Sequence, residues 1–561
     1  RQGSLAEWAF YDDVTNLDVC TRDAPNGVAG VDGLVDNIQN DGANNAGAGA
    51  FLSANDNPAN PASCTNYAGL RINPSNTGNI RGQSRFALGE NLTFTFDPTA
   101  QYVLANGGGT TVVSETDARL MAGTGLGVDL NGDSDTLDSV RLYSPSNTNT
   151  IRYAVLSSLI WELSDAHRFV FGYTYDTGRH RQTGEYSLLD PSGDPGDVFG
   201  AKDEEGGAPI LNRVGGVFQK RDRLSVATLS QFSARYIGDF MNDALTIDIG
   251  VRAPEFERDL DQRCFAATAG TGDPTCNTGF VAAPPPAGVA PFRASVSYED
   301  VLPSLGVVFR PGEGQQLFFS YAEGLSAPRT DDLYNGLTVA QLDNVQPETS
   351  QAYDLGYRYQ GGGMILSTTA WFNAFQNRIV RVFDPLEGIN IARNIGDVDL
   401  WGAELELGFQ ASDDISLYFS AAYTDSEVQE NLPITGATFA LTAGKQLVET
   451  PDWTFGGRIE WENGPFQLGL QGKFVGDRWA TDVNDQVANA YTTFDLDARW
   501  DFGQSLRNER TYLQLNVLNL LDEEYFGSFG SQVATTGPGS GTVRYNIGAP
   551  RTIQLSLRAD F

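Results

Sequence analysis

The residues best placed for chemistry sit in "DLNGDSDTLDSV", where Asp129, Asn131, Asp133 and Asp135 alternate, Gly132 allows a bend and Asp138 follows. Oxygen ligands at that spacing wrap a hard cation, so a calcium ion that rigidifies a loop is one reading of the stretch. The pattern departs from a helix–loop–helix calcium site. Ser134 stands where Gly is needed and Val140 where a bidentate Glu would close the shell. A solvated acidic loop stays open as the alternative.

Four cysteines, Cys20, Cys64, Cys264 and Cys276, lie in polar Gly/Pro/Asn/Asp-rich stretches. An even number in loops points to two disulfides and an oxidising, extracytoplasmic site. Cys20–Cys64 with Cys264–Cys276 is the simplest pairing, and cross-pairing stays open. A zinc site is a poor fit, because no two cysteines have zinc spacing and His167 and His180 are the only histidines. Iron or haem ligation by those two is conceivable, but isolated histidines in polar turns read better as solvated groups. No nucleophile–base pair, G-x-S-x-G element or phosphate loop is present, so catalysis is not expected.

The elements that must carry these loops are strands. The chain ends on "RTIQLSLRADF", with Ile553, Leu555, Leu557, Ala559 and Phe561 on one face and Thr552, Gln554, Ser556, Arg558 and Asp560 on the other. The same alternation recurs in "ALTIDIGV" (244–251), "AELELGF" (403–409), "ISLYFSAAY" (415–423), "FQLGLQGKF" (466–474) and "FDLDARWDF" (494–502). About 16 to 18 such segments lie between residue 85 and the end. They run to about ten residues, as tilted membrane strands do, and longer than the mode for sandwich strands. Short turns ("QASDD", "RPGEG", "QGGG") alternate with long connections at 179–221, 253–292, 326–347 and 427–449.

No run reaches 18 consecutive apolar residues, so no helix spans a bilayer. These features predict an all-β transmembrane antiparallel barrel, apolar face to lipid and polar face to a wet lumen. Aromatics at strand ends (Phe318, Phe319, Tyr321, Trp371, Phe372, Trp479, Tyr525, Phe526) are expected to form interfacial girdles. The last strand is expected to close against the first, because hydrocarbon tolerates no open edge. The alternative, a soluble sandwich or propeller, would put the apolar face in a core. Hydrophobic content of 41% rules out a disordered chain despite a net charge of −34. That acidity also argues against nucleic acid as a partner.

Five stretches then carry a resemblance, in order: "YEDVLPSLGVVFRPGEGQQLFFSYAEGLSAPRTDDLYN" (298–335), "VQPETSQAYDLGYRYQ" (345–360), "STTAWFNAFQNRIVRV" (367–382), "RNIGDVDLWGAELELGFQASDDISLYFSAAYTDSEV" (393–428), and "LQLNVLNLLDEEYF" (513–526) with "NIGAPRTIQLSLRADF" (546–561). Together they resemble the barrel of a TonB-dependent outer-membrane receptor. The resemblance implies a barrel of 22 strands, periplasmic turns and long extracellular loops in the outer membrane of a Gram-negative bacterium. It also implies a plug and a TonB box, neither of which residues 1–80 resemble. The expected organisation is therefore a loop-rich segment at 1–84, holding one barrel strand and a long loop with the plug absent, and the barrel over 85–561. The N-terminus is taken to be missing.

By the same resemblance, the activity is import of a scarce chelate, foremost an iron–siderophore complex, energised through the TonB complex. A plug-free porin-like channel and a non-transporting surface or adhesion barrel are the alternatives. The implied partners are the barrel-assembly machinery, which would read Ile553, Leu555, Leu557, Ala559 and Phe561, and lipopolysaccharide, membrane lipid and a small-molecule cargo. Arg329, Asp331, Asp332 and Tyr334 form the candidate ligand loop. Glu404, Glu406, Asp495, Asp497 and Asp501, with Arg499 and Lys473, are expected on the luminal wall, paired with one another.

Overall fold

A computed structural model describes residues 73–558, apart from 108, 131–135, 137–138, 189–197, 200–208, 264–290, 335–341, 343–344, 385–388, 395, 436–437, 503–510 and 538–539. One antiparallel sheet of nineteen strands dominates it. In chain order these are β1 (Ser75–Arg81), β2 (Arg85–Ala87), β3 (Leu92–Asn106), β4 (Asn147–Ser164), β5 (His167–Glu185), β6 (Gln219–Phe240) and β7 (Leu245–Gln262). Next come β8 (Phe292–Glu299), β9 (Leu302–Phe309), β10 (Gln315–Ser326), β11 (Glu348–Gly361), β12 (Met364–Gln376), β13 (Val398–Ser412) and β14 (Ile415–Val428). The last five are β15 (Trp453–Asn463), β16 (Phe466–Val475), β17 (Tyr491–Asp501), β18 (Tyr512–Leu518) and β19 (Thr552–Arg558).

With two exceptions each strand pairs with its neighbours along the chain, an up-and-down meander. β1 and β2 both lie against β3, and β8 and β9 both lie against β7, so nineteen strands fill seventeen positions. The sheet thus starts at Ser75, inside the segment expected to hold one strand ahead of residue 85.

The described residues do not include the pairing that would close the last strand on the first. Among the described residues β19 pairs only with β18, and β1 only with β3. The reason is parity. Direction reverses at each of the seventeen positions, so β1 and β19 run the same way and cannot pair antiparallel. Antiparallel closure takes an odd number of further strands.

Alternation sets which face is which. Leu468, Leu470, Ile553, Leu555 and Leu557 are all exposed, the last three at 67% each. Water would not tolerate such rows, but lipid solvates them. An aromatic belt crosses six consecutive strands of this face. Tyr321 meets Tyr353 at 4.8 Å and Tyr353 meets Phe372 at 6.2 Å. Phe372 is the register partner of Trp401, Trp401 meets Tyr423 at 5.3 Å, and Tyr423 meets Trp453 at 4.8 Å.

A second belt lies near the short turns, with Trp161 against Phe169 (5.7 Å) and Phe466 against Trp500 (6.2 Å). On β15, Trp453 and Trp461 mark the two belts. Eight residues at about 3.3 Å, tilted by roughly 40°, give about 20 Å of depth. The girdle expectation needs two changes: Phe318 and Trp371 fall on the luminal face, because each is one residue out of phase with the belt, and Trp479 and Phe526 lie on short strands outside the nineteen-strand sheet.

The buried apolar clusters lie elsewhere, in a cap at the long-loop end. One gathers Val113, Leu120, Val140, Leu142, Tyr186, Ile210 and Phe218 around the 109–114 and 139–144 strands and a short helix α1 (Ala118–Met121). Another joins Leu260, Val296 and Tyr298 of the wall to Leu333, Tyr334, Leu342 and Val345.

Candidate capture mouth and luminal wall

The cap is tied to the wall by specific polar contacts. Helix α2 (Thr330–Tyr334) carries the candidate ligand loop. Arg329 is exposed, but Tyr334 is fully buried. Its hydroxyl donates to the Leu224 carbonyl at 2.8 Å, accepts from the Asp261 amide at 3.1 Å, and lies 2.9 Å from Ser225 Oγ. The Arg223 guanidinium covers its ring at 4.8 Å. Burial raises the Tyr334 phenol above its ordinary range. Tyr334 is therefore an anchor, which leaves Arg329 as the exposed side chain among the described members of the set. Asp331 and Asp332 share α2, and their side chains lie outside what is described.

At the acidic stretch, Asp129 is half-buried, while Asn131, Asp133, Asp135 and Asp138 lie outside the described residues. Sequence reasoning missed Glu115. It is fully buried and accepts from the Leu130 amide at 2.6 Å. Only the "SETD" turn before α1 could have hinted at it. Nearby, burial works to raise the Asp117 carboxyl, but Arg119 at 2.8 Å outweighs it and holds it below the usual range. Among the described residues, no three His, Cys, Asp or Glu side chains converge. The four cysteines fall outside the described residues, as do Ala559 and Phe561.

His167 and His180 do not meet. They sit thirteen residues apart on β5, about 40 Å of extended chain. His167 Nδ1 lies 2.9 Å from the Tyr236 hydroxyl, and His180 Nδ1 lies 2.6 Å from Thr150 Oγ1.

The luminal wall is charged in both signs. Arg458 bridges Asp497 at 2.7 Å and Glu460 at 2.8 Å. Arg499 pairs with Asp501 at 3.1 Å and lies 3.9 Å above the Tyr512 ring. Asp495 instead caps the Asn519 amide at 2.8 Å. Arg152–Asp176 and Arg235–Asp248 pair across neighbouring strands. Glu404, Glu406 and Lys473 are exposed and form no ion pair among the described residues, so the expected mutual pairing holds for only part of the set. Trp371 packs against Gly402, where a Cβ would stand 2.5 Å from its ring. The wall there accepts an aromatic only because position 402 has no side chain.

Higher in the cap, Asp482 is packed near Arg378 and its amide donates to the Gln532 carbonyl at 3.0 Å. Burial pushes its carboxyl up to about 6, opposed only partly by the Arg378 charge.

The comparisons with known proteins agree with this geometry. The family model described as "TonB dependent receptor-like, beta-barrel" matches residues 21–520. A probable TonB-dependent siderophore receptor, PiuA of Acinetobacter baumannii, is 24% identical over 67% of this chain and 49% of its own. The ferrioxamine receptor of Yersinia enterocolitica is 29% identical over 40% of this chain and 29% of its own. The chain thus spans from under a third to about half of these relatives. Among solved structures, ferric citrate transporter FecA aligns with a TM-score of 0.57 at 15% identity, covering 86% of this chain and 61% of that one. Copper transporter OprC aligns at 0.58 and 14%, covering 85% and 64%. This chain belongs to the TonB-dependent receptor β-barrel family, whose barrels reside in the outer membrane.

Proposed function

We propose that the intact protein imports a scarce metal chelate across the outer membrane, an iron–siderophore complex foremost, with energy delivered through TonB. The observation that carries this reading is the family match over residues 21–520, on a wall whose apolar rows face outward and whose charges face a lumen. The relatives include a ferrioxamine receptor, an iron-regulated outer membrane virulence protein and a probable TonB-dependent siderophore receptor. The cap supplies the capture surface and the wall a hydrated path, and no bond is made or broken. The test is uptake of labelled ferric chelates by cells expressing the intact gene, with and without TonB. Loss of uptake without TonB supports import. Uptake indifferent to TonB makes the protein a passive channel, and no uptake of any chelate removes the siderophore reading.

Two narrower readings accompany it. The alternating end Ile553, Leu555, Leu557, Ala559, Phe561 is proposed as the assembly signal. Phe561→Ser should lower the amount of heat-modifiable, folded protein in the outer membrane, and normal abundance would remove that role. The 129–138 stretch is proposed to hold calcium, so EDTA should expose it to protease. Unchanged cleavage would leave it a solvated loop.

A further inference from the structure

A groove of about 460 Å³ opens on the outward face of the wall near the short-turn end. Its origin is a single cross-strand row. Register places Trp461, Leu468, Ala498, Leu515 and Leu555 side by side across β15, β16, β17, β18 and β19. Four of these are large and Ala498 is small, so the row dips at β17. The next row toward the turns begins with Phe466 beside Trp500, stacked at 6.2 Å, and closes the dip on that side. The result is an apolar floor at Ala498 with an aromatic lip.

Depth identifies the occupant. Phe466 follows the Gly464 turn by two residues, and Phe466 and Trp500 belong to the belt that marks headgroup level. The lip is therefore interfacial, and the floor lies one row deeper, in hydrocarbon. Short turns mark the periplasmic side of outer-membrane barrels, where the leaflet is phospholipid.

We propose that this groove seats one acyl chain of a periplasmic-leaflet phospholipid, its headgroup beside the Phe466–Trp500 lip. The groove is continuous with the lipid-facing band, and no polar side chain on its outward face asks for a polar ligand. Transfer from bulk lipid brings no hydrophobic gain, because tails are as apolar as leucine. The drive is contact, since an unfilled dip forfeits dispersion on every lining atom. Rigid aromatic walls make a chain held there slower to leave than one on a smooth surface.

The test is native mass spectrometry of the intact protein released from membranes in mild detergent, comparing wild type, Ala498→Leu and Ala421→Leu. Wild type should carry one phospholipid. Ala498→Leu, which levels the row, should lose it several-fold, and Ala421→Leu, on the outward face of β14, should keep it. Wild type without phospholipid, equal retention in Ala498→Leu, or lipopolysaccharide or a protein in its place would overturn the assignment. Should Ala498→Leu fail to fold, wild type reconstituted with phospholipid bearing a photoreactive acyl chain decides the matter. Labelling should concentrate on the 491–501 peptide over 415–428, and equal labelling would overturn the proposal.

Discussion

The wall and the cap bury opposite things. In the wall, leucines and aromatics stand exposed on the outer face while Arg458, Asp497 and Glu460 satisfy one another inside. In the cap, Leu120, Val140 and Leu142 have no exposure, as in a water-soluble domain. One chain uses both rules because its solvent changes along its length. An apolar side chain gains from burial where water is the alternative, and gains nothing from it where lipid is.

The difference is open to attack in order of expected effect. Truncating a buried cap residue, Leu142→Ala, should cost about 2–5 kcal/mol of cap stability, because a cavity remains. Leu470→Ala on the lipid face should cost about 1 kcal/mol or less, since lipid fills the space. Hydrogen exchange of the cap and thermal melting of the assembled barrel read the two. Equal losses would mean the wall has a conventional core.

Charge sharpens the same contrast. Leu470→Arg should destabilise the barrel by about 2–4 kcal/mol if it lies at mid-membrane, whereas Gln471→Arg, one residue on and facing the lumen, should stay within about 0.5 kcal/mol. Folding titrations in detergent or vesicles measure both.

pH separates the regions more gently. The folded-state pKa of Asp482 is raised to about 6, so the folded cap binds its proton more tightly than the unfolded chain does. That stabilisation is full below the unfolded value near 4 and is lost as pH rises through 6. The cap should therefore tighten, by at most about 3 kcal/mol, between pH 7 and pH 4. Asp482→Asn should flatten the profile, and protection of residues 480–488 from exchange reports it. A profile that the substitution leaves intact would place the titrating group elsewhere.

Sequence legibility follows the same division. Where lipid lies on one side and water on the other, period-2 alternation is strict, and "FQLGLQGKF" alone gives the faces of β16. Above the membrane the signal fades. The expected long loops at 179–221 and 253–292 begin inside strands, since β5 runs to Glu185 and β7 to Gln262. There both faces are wet, Arg181, Asp222 and Asp261 replace apolar residues, and periodicity has nothing to report. Tyr334 reads in the sequence only as a member of a candidate ligand loop, not as the buried anchor it is. Its three partners come from 73 to 110 residues away, and no local pattern encodes them. Closure lies beyond what the described residues test: alternation fixes the faces of a strand, while only the number of strands fixes whether its ends can meet.

The claim beneath all of this is that the outward rows touch lipid. Single cysteines at 466, 468 and 470, and at 467, 471 and 473, carrying spin labels in reconstituted protein, test it directly. The first set should favour dissolved oxygen and the second a water-soluble nickel chelate, with the preference switching between the two rows along β16. Absence of that switch, or its reversal, would contradict the account.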